Sequence, residues 1–319
     1  MQSMKKFLLF VLGVIIVFLG QSQTVVTDQH PKTSWNTDET EDFYNQQAKL
    51  TLVLADSVLK MNTPALQENL LRKMALMLID NVLHDEPAPT RPAVQTYFRK
   101  CIENSVSDIR ITIVEKGAVI WKLYNHAFIV KTPTVTVGFD ITRGLSDVEG
   151  FSLNERFIHQ LIDVTDILFI SHVHSDHADK WVTEQFLNRN KPVVAPENVW
   201  NDQPFSKRII RPERKAHVIQ SIYLPLKEFS IKIVNYPGHQ KSLINNVYLV
   251  ISPEGISFAH TGDQYNYDDF EWIDQVGNYH RVDVAMPNCW TALPKRFSDG
   301  FRQIGRAHGL NSSHVSQSR

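Results

Sequence analysis

Hydrophobic positions divide the chain into a helical first part and a part dominated by strands. Between residues 38 and 61 the apolar spacing predicts a helix whose buried stripe is Leu50, Leu54, Val58 and Met61. Two more helices follow, with the stripes Leu66, Leu70, Met74 and Met77 in one and Val94, Phe98 and Cys101 in the other. We expect these side chains, the methionines included, to form a helical core.

From Ile109 onward the apolar period changes to two, which is typical of strands. The segments 111–114 and 119–123 flank Lys116-Gly117 and predict a hairpin. Further strands are predicted at 128–131, 134–139, 167–170, 192–195, Val218, 231–234, 247–251, 256–260 and 282–286, with helices over 179–189, around Trp200 and near 270–275. Hairpins followed by strands that alternate with helices predict a layered α/β sandwich.

The first 22 residues have the pattern of a secretory signal peptide. Lys5 and Lys6 precede an apolar stretch over 7–20, and Gly20-Gln21-Ser22 offers small residues for cleavage. The apolar stretch would span only about 21 Å as a helix, which is short for a membrane span. We therefore expect an exported protein, periplasmic or secreted from a bacterium, with no stable membrane anchor after cleavage.

These patterns predict a division into a signal peptide (1–22), a helical region (23–107), an α/β sandwich domain (108–303) and a tail (304–319). The tail has no periodicity and no apolar face. It resembles a translated sequencing adapter, and the alternative is a genuine polar tail. We expect it to be non-native.

The composition and charge of the chain are those of an ordinary globular protein. The chain has 43% hydrophobic and 21% charged residues, and its formal net charge is −1. A nearly neutral chain gives no electrostatic reason to expect nucleic acid as a partner. A small-molecule substrate is the expectation that remains.

The densest group of potential metal ligands lies directly after the predicted strand 167–170. His172, His174, Asp176 and His177 fall within six residues of one another. Imidazole nitrogens suit zinc, and a carboxylate beside an imidazole suits a second, more open metal position. The alternative is a cluster of core histidines, which would repel one another when charged and need partners when neutral. The segment 172–177 therefore predicts a metal-binding loop.

Two later strands also end in residues of the ligand type. His239 comes just past the strand 231–234, and Asp263 just past the strand 256–260. Either residue alone would indicate an ordinary turn. Their repetition at successive strand ends predicts that they converge on one edge of the sandwich.

Together these residues resemble the metallo-β-lactamase superfamily over roughly residues 109–290. The segment 172–177 matches the HxHxDH motif, and His239 and Asp263 match the later histidine and the bridging aspartate. Asp140, at the end of its strand, matches an early aspartate that supports the metal loop. The resemblance implies an αββα sandwich preceded by the helical region.

The resemblance also implies a binuclear hydrolytic site. His172, His174 and His239 would hold one ion, Asp176 and His177 the other, and Asp263 would bridge them. A water shared by two such ions is deprotonated near neutral pH and attacks the substrate. Asp176 would in addition orient this water or pass a proton to the leaving group. The expected cofactors are two divalent ions, zinc first, with manganese and iron as alternatives.

One ligand of the family pattern is missing from this sequence. A further histidine is expected well after the strand that ends near Pro287-Asn288, but the chain reaches only Gln303 before the suspect tail. We expect the chain to be truncated before this ligand, to bind the second ion poorly, and to be much weaker than its full-length parent.

Three functions follow from the resemblance. The segment 258–263 looks closest to the branch that holds lactonases and phosphodiesterases, so the leading prediction is a hydrolase of an ester, lactone or phosphodiester. A β-lactam hydrolase is the alternative among enzymes. A non-catalytic metal-binding or scaffold protein of the same fold is the alternative from another class.

Overall fold

The computed structural model describes residues 37–63, 69–85, 87–144, 152–288 and 308–309. Contacts divide the chain into a unit of residues 1–42 and a unit of residues 43–319. The first unit is described only over 37–42, where the first helix begins. The predicted signal peptide and nearly all of the suspect tail lie outside the described residues. Among the described residues, no helix combines the length and the apolar character that crossing a membrane requires.

Six α-helices and eleven strands are described. The helices are α1 Thr37–Met61, α2 Leu70–Leu83, α3 Pro92–Ile111, α4 Glu155–Val164, α5 Lys180–Asn188 and α6 Phe270–Tyr279. The strands are β1 Val119–Lys122, β2 Phe128–Lys131, β3 Thr136–Phe139, β4 Ile167–Phe169, β5 Val193–Val194, β6 Ile219–Leu224, β7 Phe229–Gln240, β8 Leu243–Ile251, β9 Ser257–His260, β10 Val284–Met286 and β11 His308–Gly309.

The helical region has a core, but its buried stripe is not the predicted one. Leu50, Leu54 and Met61 are exposed by 57–77%, and Leu70, Met74 and Met77 by 52–67%. The buried positions of the first two helices are instead Ala48, Leu52, Ala55, Leu59, Ala75, Ile79 and Val82. Only the stripe of the third helix, Val94, Phe98 and Cys101, is buried as expected. The observed interface therefore combines alanines with larger side chains such as Leu52 and Ile79. Leu66 lies outside the described residues.

Two leucines of α1 test this corrected stripe. Leu52 is 1% exposed and Leu50 is 70% exposed. We expect Leu52→Ala to lower the free energy of unfolding by about 2–5 kcal/mol, because it leaves a cavity in the helical core. Leu50→Ala should stay within about 0.5 kcal/mol. Urea unfolding of both variants measures the difference, and a larger loss for Leu50→Ala would restore the predicted stripe.

The strands form two mixed sheets. The first has the order β1-β2-β3-β4-β5, antiparallel up to β3 and parallel from there. The second has the order β11-β10-β9-β8-β7-β6, antiparallel between β6 and β9 and parallel beyond. Pairs such as β3 and β4 are joined through a helix, which is how a chain returns to make a parallel neighbour.

Three apolar layers hold the sheets and helices together. Between the sheets lie side chains of both, among them Phe128, Phe169 and Tyr248. On the outer face of the first sheet pack α3, α4 and α5, and on the outer face of the second sheet packs α6. The layer order helix, sheet, sheet, helix confirms the predicted αββα sandwich.

Two local predictions are wrong. The hairpin around Lys116-Gly117 does not form, because α3 continues to Ile111 and no strand is assigned over 112–118. β1 pairs instead with β2, and the turn between them contains Asn125. The helix predicted around Trp200 is also absent: residues 201–205 form turns and bends, and a 3-10 helix follows at Ser206–Arg208.

The domain division stays a prediction. α3 runs across the predicted boundary between residues 107 and 108 and contributes to both the helical core and the sandwich. Within the tail, His308–Gly309 pairs in parallel with β10.

Candidate metal centre

The predicted metal loop begins where β4 ends, and a buried aspartate fixes its first residue. Asp140 follows β3, the parallel neighbour of β4, and is fully buried. Its carboxylate accepts hydrogen bonds from the backbone N of Ser171 at 2.7 Å and from the Ser171 hydroxyl at 2.6 Å. The backbone of Asp140 has φ +46°, a region that Asp tolerates better than most residues. This contact sets the direction in which the chain leaves β4.

The loop brings three predicted ligands within reach of one ion. Ligand atoms of His172, His174 and Asp263 all lie within 4.8 Å of one another. Nε2 of His172 is 3.0 Å from Nδ1 of His174 and 3.6 Å from Oδ2 of Asp263. In a tetrahedral zinc site with Zn–N bonds of about 2.0–2.1 Å, neighbouring ligand atoms stand about 3.3 Å apart. The donor set and its spacing therefore fit a divalent ion.

The second oxygen of Asp263 faces a different histidine. Oδ1 of Asp263 is 3.4 Å from Nε2 of His177, and that same Nε2 is 3.5 Å from Oδ2 of Asp176. These distances also match the spacing of ligand atoms around one ion. The two oxygens of Asp263 thus face the two histidines that open and close the segment 172–177.

A tight turn at Gly262 places Asp263 between His172 and His177. Gly262 has φ +50°, and a Cβ at this position would lie 2.4 Å from the Ser171 Cβ and from Asn245 Oδ1. Glycine alone tolerates both the backbone angle and the close approach. The backbone N of Asp263 donates to Asn245 Oδ1 at 2.9 Å, which fixes the turn to β8.

His177 is oriented by a buried carboxylate. Its Nδ1 lies 2.7 Å from Oδ2 of Asp140, so the Nδ1 proton is shared with Asp140 and Nε2 faces the ligand cluster. Burial would lower the pKa of His177, but the surrounding carboxylates, Asp140 above all, outweigh burial and raise it to about 9. Burial would likewise raise the pKa of Asp140, and the charge of His177 holds it below its usual value instead. A carboxylate behind a ligand histidine is the usual support of a metal site.

At two other predicted ligands the effect of burial on the pKa is not outweighed. Burial lowers the pKa of His172 to about 2, so this imidazole is neutral and its Nε2 lone pair is available to a cation. Burial raises the pKa of Asp263 to about 6, because a charged carboxylate is poorly solvated there. Both shifts describe the chain without an ion, and a cation at this place would favour the charged carboxylate.

His239 is a predicted ligand that does not belong to the cluster of His172, His174 and Asp263. Its Nδ1 lies 3.2 Å from Oδ1 of Asp269, an arrangement like that of His177 with Asp140. Its Nε2 is 3.5 Å from Nη2 of Arg214. The role of His239 as a ligand therefore stays a prediction.

The turn between β1 and β2 contributes residues that the sequence did not reveal. The Asn125 amide donates to Oδ2 of Asp176. His126 is 4% exposed, its ring lies 6.1 Å from that of His177, and its Nε2 has no hydrogen-bond partner among the described residues. His260 accepts from the Gly262 backbone N through Nδ1, and its Nε2 donates to the His126 carbonyl oxygen at 2.9 Å. The predicted hairpin paired 119–123 with 111–114, so the turn between β1 and β2 was not recognised. Pairing 119–123 with 128–131 would have indicated this turn.

A groove of about 460 Å³ lies elsewhere, between α1 and α3. It is lined by residues such as Leu52, Asp56 and Tyr97, and by none of the predicted ligands. Its chemistry is that of a helix interface, so the candidate site is defined by the ligand cluster.

Two mixed sheets between helical layers, with the ligands at the ends of β4 and β9, decide the fold. The chain has the metallo-β-lactamase fold. No family model matches the sequence, and no curated protein matches it.

Solved structures resemble the chain at low identity. Igni18, a metallo hydrolase from Ignicoccus hospitalis, is 16% identical over 63% of this chain and 84% of its own, with a TM-score of 0.44. CmlA, a diiron β-hydroxylase from Streptomyces venezuelae, is 15% identical over 58% of this chain and 37% of its own, with a TM-score of 0.40. A metallo-β-lactamase from Pontibacter korlensis is 16% identical over 55% and 88%, with a TM-score of 0.31. Because these TM-scores are below 0.5, the metallo-β-lactamase fold rests here on strand order and ligand positions.

Proposed function

We propose that this protein is a binuclear metal-dependent hydrolase. The observation that carries the proposal is the position of Asp263, whose Oδ2 faces His172 at 3.6 Å and whose Oδ1 faces His177 at 3.4 Å. A carboxylate with one oxygen toward each of two imidazoles is suited to bridge two ions. His172 and His174 would hold one ion, and His177 and Asp176 the other.

Two divalent ions at these positions would supply an activated water and polarise the scissile carbonyl or phosphoryl oxygen. The chain itself supplies orientation. The Asn125 amide donates to Asp176, whose side chain is 32% exposed and so reaches the solvent side of the centre. From there Asp176 can accept a proton and transfer it to a leaving group. We propose an ester, lactone or phosphodiester as substrate, and zinc, manganese or iron as the metal.

Hydrolysis that depends on added metal tests this function. The purified chain is stripped with a chelator, reloaded with each metal, and offered a generic phosphodiester, a lactone and a cephalosporin. Turnover of one class that disappears with the chelator and returns with the metal is the expected result. Metal binding without turnover of any of the three would favour a scaffold role, and turnover of the cephalosporin alone would favour a β-lactam hydrolase.

Asp176→Asn tests the role of Asp176 while leaving the ligands of the first ion in place. We expect turnover to fall by about 100-fold, because the amide cannot accept the proton and holds the second ion poorly. The cluster of His172, His174 and Asp263 should still bind one ion by metal analysis. Asp202→Asn, at an exposed aspartate, serves as the control and should keep full turnover. Equal turnover of both variants would contradict the role given to Asp176.

The proposed location is outside the cytoplasm, on the pattern of residues 1–22 alone. Cell fractionation of a bacterial host that expresses the whole chain checks it. We expect the mature protein in the periplasm or the medium, with an N-terminus beyond the apolar stretch, and a small molecule rather than nucleic acid as its partner.

A further inference from the structure

Arg214 is held in a fixed position by neutral groups. It lies between β5 and β6 and is half-buried. Its Nε donates to Oδ1 of Asn246 at 3.0 Å, and its Nη2 donates to the Gly238 carbonyl oxygen at 2.6 Å. Two acceptors on the neighbouring strands β7 and β8 thus fix the plane of the guanidinium group.

No carboxylate of the described residues lies within 4.0 Å of this guanidinium group, which is also true of Arg211, whereas two other arginines of the sandwich pair with aspartates. Arg143 pairs with Asp179 at 2.9 Å and Arg189 with Asp163 at 3.2 Å. The carboxylates of Glu197 and Asp269 act on Arg214 only through space. Asp269 is already engaged by His239 and by the Gln264 amide at 2.7 Å. A half-buried charge without an ionic partner is costly, and a bound anion would offset that cost.

Arg214 lies next to His239, a predicted ligand, and is linked through Asn246 to the residue that precedes His172. Nη2 of Arg214 is 3.5 Å from Nε2 of His239. Asn246, which accepts from Arg214, donates its own backbone N to the Ser171 carbonyl oxygen at 2.8 Å, directly before His172. A guanidinium group has five N–H donors. The described contacts to oxygen use two of them, so an edge of the group stays available.

We propose that Arg214 binds an oxyanion of the substrate, a phosphate or carboxylate group next to the bond that is cleaved. The planar guanidinium group matches two oxygens of such a group at once, which lysine cannot do. This inference rests on the proposed hydrolytic function and narrows its substrates to anionic ones. Phosphodiesters and carboxylate-bearing esters or lactones fit, and neutral esters do not.

Direct anion binding tests the proposal without any turnover. Inorganic phosphate and acetate are titrated by calorimetry into the metal-loaded wild type, Arg214→Gln and Arg214→Lys. We expect Arg214→Gln to weaken binding of at least one anion by about 10-fold or more and Arg214→Lys to weaken it less, with the metal content of both variants unchanged. Which anion responds tells phosphate from carboxylate. Arg281→Gln, at a side chain that is 75% exposed, is the matched control and should bind as the wild type does.

Kinetics provide the second measurement once a substrate is found. For an anionic substrate, Arg214→Gln should raise KM by about 10-fold or more with a smaller change in kcat, and a neutral analogue should lose nothing. Equal anion binding by wild type and Arg214→Gln would overturn the proposal. If the protein binds phosphate through Arg214 but hydrolyses nothing, the hydrolytic function fails while the anion site stands.

Discussion

His172→Ala is expected to remove the metal from the centre and to lower hydrolysis by at least about 100-fold. His172 is fully buried, and its Nε2 is within 3.6 Å of both His174 and Asp263. Its loss leaves His174 and Asp263 as the ligands of the first ion. It also disturbs Asp263, which would bridge to the second ion.

Metal analysis of the purified variant measures the first effect and the substrate assay the second. His84→Ala is the matched control, since this histidine ends α2 far from the cluster and its side chain is 75% exposed. Circular dichroism of both variants shows that the fold is retained. If the His172→Ala protein keeps the wild-type metal content, the metal does not bind at this loop.

Asp140→Asn should weaken metal binding by about 10–100-fold, although Asp140 itself touches no ion. Its carboxylate accepts from Ser171 and from Nδ1 of His177, and an amide in its place would turn a donor toward one of these donors. Asparagine tolerates the φ of +46° as aspartate does, so the substitution isolates the charge from the backbone. Leaving His177 without its buried partner should lower the free energy of unfolding by about 3–5 kcal/mol.

The same variant should change how stability depends on pH in the metal-free protein. The pKa of His177 is raised to about 9 from 6.5, so its contribution is complete below about pH 6.5 and is lost as the pH rises through about 9. We expect Asp140→Asn to flatten this alkaline loss. Urea unfolding at pH 6 and pH 9.5 measures it. Asp202→Asn, at an exposed aspartate, should leave the pH dependence and the metal affinity as they are.

The metal loop could be predicted because residues that bind metals stand directly after a strand that the sequence also predicts. A short buried strand followed at once by histidines and aspartates is rare, and β4 ends where the sequence placed its end, within one residue. Asp140 and Asp263 could be placed for the same reason, since both follow buried strands. The rule that parallel strands end at one edge of a sheet accounts for Asp140 and the metal loop, because β3 and β4 are parallel neighbours. Asp263 follows a strand of the other sheet, so its approach to the loop depends on the packing of the two sheets and not on this rule.

The helical region was harder because α1 carries apolar residues on more than one face. The predicted stripe of Leu50, Leu54, Val58 and Met61 and the observed one of Ala48, Leu52, Ala55 and Leu59 both satisfy the helical period. Hydrophobicity favours the larger side chains, whereas close packing of helices favours the alanines. Only the partner helices decide between them, and the sequence of one helix does not contain that information.

The β1–β2 turn was missed for a related reason. Ile111 and Ile113 suggested a strand by their alternation, yet they are 78% and 85% exposed at the end of α3 and just beyond it. Helix α3 continues because its buried face, which includes Val106 and Ile109, packs on the sandwich. Long-range packing therefore keeps residues 111–114 out of the sheet. The hairpin forms instead between β1 and β2, with Asn125 and His126 in its turn.

The predicted ligands stand on both sheets, with His172 after a strand of the first and Asp263 after a strand of the second. An ion held between them would therefore act as a reversible cross-link between chain segments that are far apart in sequence. Such a link stabilises the folded chain, because the ion binds the folded state and is released on unfolding. Unlike a disulfide, it strengthens with the concentration of free metal. The melting temperature of this protein should then report the metal supply of its surroundings, quite apart from any reaction that it catalyses.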